Sequence, residues 1–101
     1  MFDRMKELYR LQGKARKIQK ELKKTEITAE ALDGKIVVTL NGEQKLQDLS
    51  IDDSLLNPDK KRELESGLKD AFAEATKEAQ KIAASRMKEI SGDLGLNLPG
   101  M

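Results

Sequence analysis

The feature that most constrains the fold is a change of hydrophobic period near the middle of the chain. Leu49 and Ile51 end a stretch in which apolar residues alternate, as they do in a half-buried strand. From Leu64 onwards, apolar residues recur at the three-and-four spacing of a helix. The intervening residues 51–58 (IDDSLLNP) therefore form the junction between a sheet and a long helix.

Downstream of the junction, the pattern predicts a helix over residues 58–91. Asn57 is a favourable N-cap, Pro58 suits the first helical position, and Asp59 puts negative charge at the positive end of the helix dipole. Ser91 and Gly92 predict the end of the helix, and residues 93–101 (DLGLNLPGM) are typical of a flexible tail. A helix of this length spans about 50 Å, which exceeds the width of a small sheet, so its distal half must project.

Residues 26–51 have the pattern of a three-stranded antiparallel meander. Asp33 and Gly34 predict the first turn, and Asn41 and Gly42 predict a type I′ turn in which both residues take positive φ. The third strand is expected over residues 43–51. The apolar strand positions are Ile27, Ala29 and Ala31, then Ile36, Val38 and Leu40, then Leu49 and Ile51.

Leu46 is out of phase with the other apolar residues of the third strand. Either a bulge lies near Gln47 and Asp48, or Leu46 faces the opposite side of the sheet. Such a small sheet needs helices or a second sheet to cover its apolar face.

Residues 1–25 are predicted to form a basic amphipathic helix. Its narrow apolar seam comprises Met1, Leu8, Ala15 and Leu22 at heptad spacing, with Leu11 and Ile18 at the complementary position. Residues 1–24 hold nine Lys or Arg and three acids, a net charge of +6. Since the whole chain carries +1, residues 25–101 carry −5. The molecule is therefore electrically polarised.

The absence of Cys, His and Trp excludes disulfides, thiol nucleophiles, imidazole bases and the usual zinc sites. Asp52 and Asp53, with Asp59, offer oxygen ligands for a hard cation, but acids before a helix more often accept capping hydrogen bonds. Ser54 has no histidine to activate it. We therefore expect no catalysis, metal, cofactor or small-molecule substrate. No apolar run approaches the roughly 20 residues needed for a bilayer, so we expect a cytoplasmic protein without membrane insertion.

Several motifs in this order resemble the YbaB/EbfC family of bacterial nucleoid-associated proteins. These are VTLNG at 38–42, IDDSLL at 51–56, Asp59, Leu64, Ala71 with Phe72, and LGLNLPG at 94–100. The resemblance covers nearly the whole chain, with residues 1–92 as a single domain. The chain departs from the family at residues 29–34 (AEALDG), where members commonly carry a glycine- and serine-rich turn.

The resemblance implies an α+β fold of order α-β-β-β-α, in a homodimer joined through the sheet region with helical arms projecting like tweezers. It also implies sequence-tolerant binding of duplex DNA that alters DNA conformation, in the cytoplasmic nucleoid or, in a plant, the plastid stroma. The residues expected to join the dimer or core are Ile36, Val38, Leu40, Leu49, Ile51, Leu55, Leu56, Leu64, Leu68 and Phe72.

Lysine and arginine bind DNA by neutralising phosphates and releasing counterions. The residues predicted to do so are Arg4, Lys6, Arg10, Lys14, Arg16, Lys17, Lys20, Lys23, Lys24, Arg86 and Lys88. Two alternatives stay open. The charged helix could be an ordinary solvated face, or the arms could belong to an adaptor that binds protein, RNA or the ribosome, which the acidic remainder of the chain favours.

Overall fold

The computed structural model describes residues 2–93 and confirms the predicted α+β order of a helix, three antiparallel strands and a long helix. The molecule is elongated, with extents of 67 × 26 × 16 Å. The predicted tail begins at Asp93, which belongs to the last helix; residues 94–101 lie outside the described part. The elements are α1 (Phe2–Lys24), β1 (Glu26–Ala31), β2 (Ile36–Asn41), β3 (Leu46–Ile51) and α2 (Lys61–Asp93).

The sheet has the order β1-β2-β3, and α2 lies across β1 and β2. Strand pairing sets Ala29 and Leu49 opposite Val38, so all three strands contribute to one apolar face. Ala71, Ala75 and Ala79 of α2 are almost completely buried. Their small side chains let the helix lie close to the sheet, and the core therefore sits between α2 and the first two strands.

A β-bulge brings Leu46 onto the apolar face. Leu40 pairs with Leu46 whereas Thr39 pairs with Asp48, which leaves Gln47 as the extra residue. Of the two alternatives that the sequence left open, the bulge is correct. Because Gln47 is an extra residue in the strand, Leu46 faces the same side of the sheet as Leu49.

The turn between β2 and β3 is not the predicted type I′ turn. Positive φ occurs at Gln44 (66°) and at neither Asn41 nor Gly42. The N–H of Gln44 donates to the carbonyl of Asn41, and the N–H of Asn41 donates to the carbonyl of Lys45, both at 2.9 Å. This is the pattern of a three-residue hairpin loop with a left-handed third residue. Consequently β3 begins at Leu46, three residues later than predicted.

Two contacts explain why Asn41 and Gly42 occupy this turn. The buried Oδ1 of Asn41 accepts hydrogen bonds from the backbone N–H groups of Glu43 and Lys45, at 2.9 and 3.0 Å. Gly42 donates its N–H to the carbonyl of Leu22 at 2.8 Å. A Cβ at Gly42 would lie 2.7 Å from that carbonyl oxygen. Close approach to α1, and not a positive φ, therefore requires glycine here.

The predicted turn at Asp33 and Gly34 is present and includes one more left-handed residue. Leu32, Asp33 and Gly34 have φ values of 54°, 57° and 83°. The side chain of Leu32 then reaches α2, where a Cβ on Gly67 would lie 3.0 Å from its Cδ1 atom. The unusual backbone of this turn thus brings an apolar side chain to the helix that covers the sheet.

Two short 3₁₀ turns, Asp53–Leu55 and Pro58–Lys60, form the junction. Asn57 caps the second turn, because its Oδ1 accepts the N–H of Asp59 at 2.9 Å. The predicted start is thus capped as expected, but regular α-helix begins at Lys61 and runs to Asp93, beyond the stop predicted at Ser91 and Gly92. Gly92 continues the helix and does not take the positive φ of a helix-ending glycine.

Within residues 2–93, no helix combines the length and apolar character that crossing a bilayer requires.

Candidate nucleic-acid interface

Helix α1 contacts α2 and β2 through part of its predicted seam, of which Met1 lies outside the described residues. Leu11 and Ile18 are buried and Leu22 is partly buried, whereas Leu8 and Ala15 are exposed. At 3.6 residues per turn, Leu11 and Ile18 lie on one line of the helix, and Leu8 and Ala15 lie beside it. The contact within the protomer therefore uses one line of the predicted seam, and the neighbouring line stays exposed.

The basic side chains of α1 lie mostly away from this contact. Helical spacing places five exposed cations on the side opposite Leu11 and Ile18, a surface that we call the far side. Arg10 and Lys17 flank it, Lys14 is partly buried nearer the contact, and Arg4 is exposed on the apolar line. The far side comprises Lys6, Arg16, Lys20, Lys23 and Lys24.

The acids of α1 are kept off the far side. Glu7 lies 3.3 Å from Nη2 of Arg10, and Glu21 forms an ion pair with Arg86 of α2. Both glutamates lie on the flank of α1 near the buried line. Within residues 4–24, no aspartate or glutamate lies on the far side, which is therefore a continuous positive surface.

Arg86 and Lys88, which the sequence assigned to the same surface, occupy different surroundings. Arg86 is half-buried between the two helices, where it contacts Glu21 and also lies 3.3 Å from Oε1 of Glu89. Lys88 is exposed. The guanidinium of Arg86 is therefore already neutralised by two carboxylates, whereas the ammonium of Lys88 faces solvent.

The outward surface of α2 mixes the two signs of charge. Lys60 and Glu63 form an exposed pair at 3.8 Å. Further along, acids and lysines line a shallow depression of about 420 Å³. Alternating charges neutralise one another and give no track for a phosphate backbone. The lining residues are Asp70, Ala73, Glu74, Lys77, Glu78 and Lys81.

The residues predicted for the dimer or core divide into three groups. Ile36, Val38, Leu40 and Leu55 are buried, and Ile51, Leu64, Leu68 and Phe72 pack partly buried against them. Leu49 and Leu56 are exposed, and so is Leu46, which was not among the residues predicted for the dimer or core. Because α2 covers β1 and β2, the apolar face of β3 is left open.

One of the three acids near the junction, Asp52, is engaged in capping. Asp52 accepts hydrogen bonds from the hydroxyl and the backbone N–H of Ser54, and these bonds lower the pKa of its carboxyl below the usual 3.8. Of the side chains that the structure describes, no three of the types that bind metals are gathered into a group that could hold an ion. The predicted reading of these acids as structural is therefore supported by the hydrogen bonds of Asp52.

An exposed apolar patch near the start of α1 escaped the sequence analysis. We call Met5, Leu8, Tyr9 and Gln12 the tip patch; they line a depression of about 250 Å³. The sequence had placed Leu8 in the apolar seam. The signal that could have revealed the patch is the spacing of Met5, Tyr9 and Gln12, which lie on one line next to Leu8.

Together, the fold and this surface define a class of protein: a small helix-and-sheet domain that carries nine of its 19 basic residues on its first helix, most of them away from the contact with α2. Comparison with known families supports a closer assignment. The model of the YbaB/EbfC DNA-binding family matches residues 1–94. The chain therefore belongs to this family, and the resemblance noted in the sequence is confirmed.

The relatives include proteins named as nucleoid-associated. One from Methylocella silvestris is 32% identical over 101 residues, covering 100% of this chain and 94% of the relative. One from Rhodopseudomonas palustris is 35% identical, covering 94% of this chain and 89% of the relative. The crystal structure of the uncharacterized protein HP0035 from Helicobacter pylori has a TM-score of 0.77 at 25% identity, covering 82% of this chain and 87% of that one.

Proposed function

We propose that this protein binds duplex DNA with little sequence selectivity through the far side of α1. The observation that carries the proposal is the separation of charge on that helix: exposed cations occupy the far side, and the described carboxylates, Glu7 and Glu21, lie on the flank near the buried line. Membership of a DNA-binding family and the names of the nucleoid-associated relatives support the same function. We propose accordingly that the protein resides in the nucleoid.

Low selectivity follows from the chemistry of the far side. Its lysines bind phosphates as point charges and read no base sequence. Arg16 is the only far-side residue with a planar donor group suited to guanine. Contacts with the backbone would therefore supply most of the affinity.

We further propose that two copies associate through the open apolar face of β3. Leu46 and Leu49 are exposed there, and Leu56 at the junction is 64% exposed. A second copy would bury these side chains and leave both α1 helices projecting, as in tweezers that change the path of the DNA they hold. Light scattering tests this arrangement: a mass near 11.3 kDa at micromolar concentration would contradict it.

A salt titration of binding to duplex DNA tests the function. The nine basic residues of 1–24 amount to at most 18 in a dimer. Engaging about a third of them predicts a slope near −5 in a plot of log K against log salt. Tight binding that is insensitive to salt would overturn the proposal.

The adaptor alternative rests on the net charge of −5 carried by residues 25–101, which opposes long contact with DNA. The same titration, repeated with a single-stranded and a folded RNA of matched length, separates the two functions. Duplex DNA is expected to compete for the protein at least as well as either RNA. Stronger competition by RNA would favour the adaptor.

A further inference from the structure

The tip patch exposes large apolar side chains in an otherwise strongly polar helix. Met5, Leu8 and Tyr9 are 57%, 63% and 71% exposed. Single exposed apolar residues are common, but adjacent ones that share a depression are typical of a contact surface. Among the residues that the structure describes, none covers these three side chains, so packing within that part of the protomer does not explain them.

The tip patch continues the line of far-side cations. Helical spacing places Met5, Tyr9 and Gln12 on one line of α1 with Arg16, and Lys23 lies further along the same line. From Met5 to Lys23 this line is about 27 Å long, less than one turn of a DNA duplex. A duplex held by the cations of the far side would therefore pass over the tip patch.

Charge limits what can occupy the patch. Arg4, Lys6 and Arg16 border it, so a second copy packed there would place cations against cations. Glu7 lies on the other side of Leu8, where it is paired with Arg10, and Glu21 is paired with Arg86 further along the helix. The surface thus suits a partner that combines flat apolar faces with a negatively charged rim. Stacked base pairs between two phosphate backbones have this combination.

We propose that the tip patch is a wedge that enters the minor groove of duplex DNA and inserts apolar side chains between two base pairs. This inference rests on the proposed DNA-binding function and adds how the DNA is deformed. Proteins that insert apolar wedges in this way unstack the bases and kink the duplex, while neighbouring cations hold the phosphates. Steps that unstack easily, such as TA and CA, would be the preferred sites.

Tyr9 provides a direct probe, because the chain has one tyrosine and no tryptophan. Its emission can be followed while duplex DNA is added to the full-length protein. Stacking of the ring against bases predicts loss of the emission, with saturation at the same DNA concentration as binding measured by gel shift. Emission that stays constant through complete binding would overturn the wedge.

The second measurement is DNA bending, followed by energy transfer between dyes at the two duplex ends. The variant Met5→Ala/Leu8→Ala/Tyr9→Ala removes the wedge and no charge. We expect its salt slope to match that of the native protein and its bending to be lost. Met87→Ala is the matched control, since Met87 is an exposed apolar residue of α2; this variant should bend DNA as the native protein does.

The outcomes separate the two proposals. If the native protein does not bind DNA, the proposed function itself fails. If it binds but the triple variant bends DNA equally, only the wedge is overturned. A triple variant with altered mass would identify the patch as a protein interface and also overturn the wedge. Loss of bending on DNA with uracil in place of thymine would point to methyl contacts in the major groove, against the minor-groove wedge.

Discussion

Helices α1 and α2 contain similar kinds of residue but use them in opposite ways. In α2 the alanines are buried against the sheet and the outward charges alternate in sign. In α1 only one line of apolar side chains is buried, and the cations are gathered on the far side. The helix that buries fewer of its side chains is therefore the one with a side free to carry a ligand surface.

The largest expected effect comes from reversing four positive charges on α1. Arg16→Glu/Lys17→Glu/Lys20→Glu/Lys24→Glu should abolish DNA binding at physiological salt. Each phosphate contact removed should lower the magnitude of the salt slope by about 1. Gel-shift titrations at several salt concentrations measure both quantities.

The matched control reverses four lysines of the α2 side, Lys60, Lys69, Lys77 and Lys81. Since these alternate with acids, the variant should keep most of the native affinity and slope. Equal losses of affinity in the two variants would contradict a special role of α1, because binding would then depend on total charge and not on its placement.

A smaller effect, on stability, is expected from enlarging an alanine. Ala71→Leu puts three more carbon atoms into the contact of α2 with the sheet, and such overpacking typically costs about 1–3 kcal/mol. Ala15→Leu enlarges an exposed alanine of α1 and should change the free energy of unfolding by about 0.5 kcal/mol or less. Urea denaturation measures the free energy of unfolding of both variants and tests whether Ala71 is closely packed and Ala15 is not.

Gly42, beside α1, and Gly13, within it, should respond in opposite ways to replacement by alanine. Gly42→Ala places a methyl group 2.7 Å from the carbonyl oxygen of Leu22, so we expect a loss of about 1–2 kcal/mol. Gly13→Ala meets nothing within 4 Å and should instead stabilise the helix by about 0.5–1 kcal/mol. Thermal unfolding should therefore shift in opposite directions for the two variants; a shift in the same direction would contradict the contact between the hairpin and α1.

The ion pair that joins the two helices should contribute less. Glu21 and Arg86 are both partly exposed, so solvent screening limits their coupling to about 0.5 kcal/mol. A double-mutant cycle with Glu21→Gln and Arg86→Gln measures it. A coupling of several kcal/mol would show that this pair, and not Leu11 and Ile18, holds α1 on α2.

The smallest effect concerns pH at the junction, where Asp52 caps the 3₁₀ turn Asp53–Leu55. The hydrogen bonds from Ser54 lower the pKa of Asp52 in the folded state. The stabilisation is therefore fully present above the unfolded pKa and is lost as pH falls through the folded pKa. Asp52→Asn does not titrate, so the native protein should lose its advantage over this variant as the pH falls below the ordinary range of a carboxyl pKa. A difference that is constant between neutral and acidic pH would contradict this role of Asp52.

Several local features could be predicted because they depend on neighbours in the chain. The alternation of Ile36, Val38 and Leu40 predicted a strand, and the cap at Asn57 predicted the start of the second helix. The hairpin at Asn41 was mispredicted, since the same Asn-Gly pair serves a close contact with Leu22. The sequence could not show this contact, because it joins positions about 20 residues apart.

The sequence by itself determined the order of elements, the polarity of charge along the chain and the family, since periodicity, composition and motifs are properties of the chain. Only the tertiary structure decided which half of the α1 seam is buried and which side of that helix is free. It also decided that α2 leaves β3 uncovered and that Arg86 faces Glu21. These outcomes depend on how two helices and a sheet fit together in space, and amphipathic patterns do not specify which of several apolar lines makes the contact.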